Sequence, residues 1–187
     1  MKIHILFGMI GFILLSGCNR AAEKNPRFYD AGVSRELAGH RKVQIKNLKY
    51  ELSFNIPRQK EVAIEGDITL RFDLASRQEV LIDFREELEK IKEVIANGVP
   101  MDKVRFENEH IILPASSTVE GANEIRIRFT AGNQSLNRND EYLYTLLVPD
   151  RARTVFPCFE QPNLKAEFTL QLELPADWKA VSNTYIR

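Results

Sequence analysis

The chain carries little that could do chemistry. Its 187 residues include two cysteines and three histidines, and His4 lies in an apolar N-terminal stretch. Only His40 and His110 remain beyond that stretch, each without another histidine nearby in sequence. Both are expected to be surface or satisfied structural groups. Charge of either sign is not in excess: Lys plus Arg and Asp plus Glu are 26 each. That balance gives no support for a nucleic-acid partner, which favours a basic face. No Ser-His-Asp arrangement and no glycine-rich phosphate loop is present. There is no internal repeat and no low-complexity tract. The charge run Glu86-Glu87-Leu88-Glu89 reads as solvated.

The longest apolar run is Ile3 to Leu15, interrupted by His4 and two glycines. A transmembrane helix needs ~20 apolar residues to cross the hydrocarbon core, so this run is too short. With Lys2 ahead of it, it reads as the core of an export signal. Leu15-Ser16-Gly17-Cys18 follows directly. This resembles a lipobox, with small residues at the cleavage point and a thiol on Cys18 to carry lipid. An ordinary secretory signal with an incidental cysteine is the alternative. The sequence thus divides into a lipoprotein signal peptide, residues 1–17, a polar lipidated tether, 18–39, and a folded domain, 40–187. Lipidation implies the cell envelope, with the membrane as partner through the anchor. With Cys18 acylated, Cys158 has no partner for a disulfide. Flanked by Phe156, Pro157 and Phe159, it is expected to be a small core residue.

The body reads as β. Tyr50 to Ile56 alternates apolar and polar residues, as do Val62 to Phe72, Glu124 to Phe129 and Phe168 to Leu174. Gly66 within the second of these marks a bulge or a close approach. Asn97-Gly98 is a hairpin signal. Asn108-Glu109 separates two further short strands, and Glu79 to Phe84 is another. Arg85 to Ile95 is expected to be a short helix or turn running into a strand. Helix is otherwise nearly absent. Many short strands with turns between them point to an all-β, antiparallel sandwich or saddle-like domain.

One segment is more specific. It runs Tyr144-Thr145-Leu146-Leu147-Val148-Pro149-Asp150-Arg151-Ala152-Arg153-Thr154-Val155-Phe156-Pro157-Cys158-Phe159-Glu160-Gln161-Pro162, then Asn163-Leu164-Lys165-Ala166-Glu167-Phe168. Pro157 and Pro162 rule out a regular strand or helix interior. Physics therefore expects a packed, irregular corner in which Phe156 and Phe159 are buried and Arg153 and Lys165 lie at the surface or in ion pairs. The segment resembles, without gaps, the T-Q-x-[EQ]-P-x-x-A-R-x-x-F-P-C-F-D-E-P-x-x-K-A-x-F run of M1-family zinc aminopeptidases, those like aminopeptidase N. Leu174-Pro175-Ala176-Asp177-Trp178, ending in Ser182-Asn183, is similar to the family's next stretch. The resemblance covers about Val43 to Arg187, nearly the whole presumed mature domain.

The resemblance implies the family's N-terminal β-domain, which walls the active-site cleft beside a thermolysin-like catalytic domain. In that domain a Gln or Glu approaches the substrate's free α-amine. The aligned positions here are Leu146 and Val148, and neither side chain can bind an ammonium group. Glu160-Gln161 in place of Asp-Glu is a milder departure. The family's H-E-x-x-H zinc motif and its G-x-M-E-N loop are absent. No cofactor is therefore expected in this chain, with zinc in the implied catalytic domain. Catalytic residues and metal ligands are expected to be none. The partners implied are that catalytic domain and peptide substrates. The chain stops at Tyr185-Ile186-Arg187, just after a strand, which leads us to expect a truncation or fragment. A stand-alone, lipid-anchored β-sandwich that binds a peptide or protein is the alternative.

Overall fold

The structure is a computed structural model and describes residues 26–139 and 141–183. Cys18 and the stretch expected to be a signal peptide lie outside the described residues. The described chain opens with a 3-10 turn at Pro26–Tyr29 and one α-helix, α1 (Arg35–Gln44). The strands are β1 (Ile45–Asn55), β2 (Glu65–Leu74), β3 (Val80–Asp83), β4 (Ile91–Ala96), β5 (Val99–Pro100), β6 (Arg105–Glu107), β7 (His110–Leu113), β8 (Gly121–Thr130), β9 (Leu136–Arg138), β10 (Leu143–Thr145) and β11 (Glu167–Glu173).

Six of these form one sheet in the order β11-β1-β2-β8-β4-β5, and β3-β7-β6 form a second. The third sheet is the β9–β10 hairpin. Alternation places Tyr50 and Leu52 of β1, Ile68, Leu70 and Phe72 of β2, and Ile125, Ile127 and Phe129 of β8 on one buried face. The outer face of the same sheet is a ladder of charges: Lys49 pairs with Glu167, Arg71 with Glu51 and Glu124, Arg126 with Asp67. These exposed pairs contribute about 0–1 kcal/mol each, so the buried face holds the sheet together.

Strands β3 and β7 are buried at every residue. A strand covered on both faces has no polar side, which is why Val80-Leu81-Ile82 and Ile111-Ile112-Leu113 read as unbroken apolar runs. One face meets the main core; the other meets α1, where Leu37, Leu81 and Ile112 form a second cluster with Phe28, Tyr29 and Val33 packed against it.

Several local expectations hold. Asn97 and Gly98 both adopt positive φ, 51° and 80°, at the β4–β5 turn. Gly66 is a close approach: a Cβ there would stand 2.4 Å from the Phe129 ring of the paired strand. Leu88–Lys90 forms a 3-10 turn that runs into β4.

Two features add to these expectations. The 39/40 boundary between tether and domain falls inside α1, which begins at Arg35. Ser34 caps this helix, its hydroxyl accepting from the Leu37 N–H at 3.1 Å, and Leu37 and Arg41 bury one side of it. The second is a parallel strand at one edge of an otherwise antiparallel set of named strands. β11 pairs with β1 in parallel, Tyr50 opposite Phe168 and Leu52 opposite Leu170. A parallel neighbour requires a crossover, and everything from Ile56 to Ala166 supplies it.

Candidate functional site

The irregular corner predicted from Pro157 and Pro162 is tied to several elements of the fold. A 3-10 turn at Ala152–Thr154 leads into it. Phe156 packs edge-on against Phe54 and Phe168, and Phe159 edge-on against Phe72. The backbone of Cys158 exchanges two hydrogen bonds with that of Asp83, at 2.8 and 3.0 Å. Tyr50 hydroxyl accepts the Phe159 N–H at 2.9 Å. Burial, then the nearby Cys158, raise the Tyr50 phenol well above its ordinary value.

Asp83 is the hub. Arg41 donates to its two carboxylate oxygens at 2.6 and 2.8 Å and to the Leu81 carbonyl at 2.8 Å. His110 Nδ1 stands 2.9 Å from Asp83 Oδ1, and its Nε2 lies 3.0 Å from the Asp30 carbonyl. The Glu160 N–H donates to Asp83 Oδ2 at 2.8 Å. Burial alone would raise the Asp83 carboxyl; the Arg41 charge and the His110 and Arg41 hydrogen bonds outweigh it and hold the carboxyl below its usual range. His110 is thus a buried structural group in contact with Asp83 and the Asp30 carbonyl. His40 lies 2.6 Å from Gln78 Oε1.

Arg153 is buried and paired rather than free at the surface. Its guanidinium meets Glu109 and reaches Asp150 at 3.4 Å, while its N–H donates to the Glu160 carboxylate at 2.8 Å. Burial raises the Glu160 carboxyl above its ordinary value. Cys158 is buried, and burial followed by the Glu160 and Asp83 charges push its thiol well up. A thiol in that setting is not a nucleophile at neutral pH.

Leu146 and Val148 follow β10. The Leu146 N–H donates to the Ser135 carbonyl at 3.1 Å, extending the β9–β10 hairpin by one rung. The chain then leaves the hairpin, and Val148 is 78% exposed while Leu146 is 49% exposed. Tyr142 and Tyr144 precede them, ring centroids 6.0 Å apart, both half-exposed. Beside this run lies an open groove of about 890 Å³, lined by Leu52 and Phe54 of β1, Phe168 and Leu170 of β11, Leu143 and Trp178. Phe168 and Leu170 lie on the face that the main sheet buries elsewhere, yet they are 54% and 43% exposed. The core is therefore open along its β11 side. The alternating sequence of β11 predicted one buried face and gave no sign that this face would be bare.

Among the described residues, no group of three or more His, Cys, Asp or Glu side chains is placed to hold a metal ion. Where Asp83, His110, Cys158 and Glu160 come together, Arg41 already occupies the carboxylate. That donor set does not fit zinc, which takes three or four free ligands.

Comparison with known proteins gives one concordant result. Residues 46–187 match the model of the peptidase M1 N-terminal domain. Aminopeptidase N of Streptomyces lividans is 32% identical over 166 residues, 81% of this chain and 19% of the relative. Leucine aminopeptidase 2 of Candida glabrata is 24% identical, over 73% of this chain and 23% of the relative. Among solved structures, native leukotriene A4 hydrolase from Saccharomyces cerevisiae superposes with a TM-score of 0.56 at 17% identity, covering 82% of this chain and 26% of that one. The M1 zinc metallopeptidase of Deinococcus radiodurans does so with a TM-score of 0.52 at 18% identity, covering 69% and 32%. At those identities the structures speak for the fold. The chain spans about a fifth of the length of these curated relatives.

Proposed function

Residues 46–187 make this chain a member of the M1 peptidase family, as its N-terminal domain, and on that premise we propose that it walls the active-site cleft of a zinc-dependent aminopeptidase. In this role it helps to position the N-terminus of peptide substrates and is inactive on its own. The observation that carries the proposal is the bare apolar face, with Phe168, Leu170 and Tyr144 exposed around one groove and Leu146 and Val148 exposed in the run that leaves β10 beside it. Exposed apolar surface of this kind marks an interface. The partner we assign to it is the zinc-bearing catalytic domain of the same polypeptide, because the curated relatives are aminopeptidases several times longer.

Leu146 and Val148 contribute shape and dryness to the wall. Neither can accept a hydrogen bond from an ammonium group. Recognition of the substrate amine therefore falls to carboxylates of the catalytic domain. We also propose that Cys18 carries lipid and holds the protein at a membrane of the cell envelope. Leu15-Ser16-Gly17-Cys18, directly after an apolar run, supports that assignment.

The wall is tested in a polypeptide that joins this chain to an M1 catalytic domain. Val148→Gln supplies an amide oxygen, and KM for peptides with a free α-amine is expected to fall about tenfold, the effect of one hydrogen bond to a charged group. Peptides with a blocked amine should show no change. A KM unaltered for both would remove Val148 from the cleft.

A further inference from the structure

Helix α1 ends at Gln44, before the family-matched stretch begins, yet it grips the corner at residues 152–163 from several sides. Arg41 holds Asp83, whose Oδ2 also accepts the Glu160 N–H. The Arg41 guanidinium also lies 5.2 Å above the Phe159 ring. Lys42 Nζ donates to the Asn163 carbonyl at 2.8 Å, and Gln161 Nε2 donates to the Ala38 carbonyl at 3.1 Å and to Asn163 Oδ1 at 2.8 Å.

We propose that α1 is a clasp that fixes the 152–163 corner, and that Gln161 is the positioning residue that locks it by donating a hydrogen bond into the helix. The inference goes beyond the aminopeptidase assignment and does not depend on it. Gln161 is 8% exposed, so water does not replace a lost partner there. The Ala38 group it meets is a carbonyl, which only accepts. A side chain at position 161 must therefore donate. An ionised carboxylate, the family's usual group here by the resemblance drawn above, would set like charge against that oxygen. A protonated carboxyl would again donate. The position thus reports its own chemistry through pH.

The test is hydrogen exchange on the purified full chain, with protection factors read separately for α1 and for β2 and β8. Variants are Gln161→Glu and Gln161→Met, each at pH 8 and pH 5. The charged and titratable groups packed around the joint are His40, Arg41 and Lys42 of α1, Asp83 of β3, His110 of β7, and Cys158 and Glu160 of the corner. All are present in every variant, so differences from the parent chain isolate position 161.

Gln161→Met, which cannot donate, is expected to lower α1 protection about tenfold at both pH values with β2 and β8 unchanged. Gln161→Glu is expected to lower it at least as much at pH 8 and to regain most of it at pH 5, where a buried carboxyl is protonated. Unchanged α1 protection in Gln161→Met would overturn the proposal, as would a Gln161→Glu loss that is the same at both pH values. If Gln161→Glu unfolds throughout, Gln161→Met alone decides.

Discussion

At the scale of single residues, the Arg41–Asp83 pair is buried on both sides. Asp83 is fully buried and bonded to Arg41, His110 and the backbone of Glu160. Removing one partner leaves the other charge buried and uncompensated, which costs about 3–5 kcal/mol. Arg41→Met should therefore lower unfolding free energy by about that amount at pH 7, read from urea melts. The sign of the pH dependence follows from the depressed carboxyl. Its stabilisation is present above the unfolded carboxyl's value of about 3.9 and is lost as pH falls through the lower folded value. The stability gap between the parent chain and Asp83→Asn should stay constant from pH 7 to 5 and close only in stronger acid. Cys158, buried and with its thiol pushed up, should resist alkylation in the folded chain and react on denaturation. Cys18→Ser should abolish incorporation of labelled fatty acid and move the protein from the membrane to the soluble fraction; retention of label would contradict the anchor. The small-core role of Cys158 was legible from its aromatic neighbours. The Arg41–Asp83 pair was not, because the two are 42 positions apart and neither stands in a pattern that marks a charge for burial.

At the scale of elements, period-two alternation made the strands readable, since each has one face on the core. Gly66 was readable as a close approach, and Gly66→Ala tests it. The added methyl would meet the Phe129 ring at 2.4 Å, and the strain should cost about 1–3 kcal/mol in unfolding free energy, with no effect expected only if the ring moves freely. Helix α1 was not readable for a physical reason. Its buried side is Leu37 and, one turn on, Arg41, so the apolar stripe that announces a helix is half replaced by a charge. Ser34 as a helix cap was the available signal. The parallel pairing of β1 with β11 had no local signal at all, because it joins chain segments more than a hundred residues apart.

At the scale of the whole molecule, the fold is complete on one side and open on the other. The charged outer ladder and α1 finish two faces, while β11 and Tyr144 of β10 leave apolar side chains bare around a groove. Leu146 and Val148, just after β10, are exposed as well. The family motif located this region in the sequence; its exposure depends on which strands lie next to β11, and only the assembled sheet reveals it. The described part of the chain thus has a packed core and no group of three or more metal-binding side chains, alongside a family match to the peptidase M1 N-terminal domain. The most direct measurement is zinc content and aminopeptidase activity of purified residues 19–187, beside the same residues joined to an M1 catalytic domain. The account predicts that the short chain is metal-free and inert, and that the joined protein binds zinc and releases N-terminal residues from peptides. Stoichiometric zinc and cleavage by the short chain alone would contradict it and return His40 and His110 to consideration as ligands.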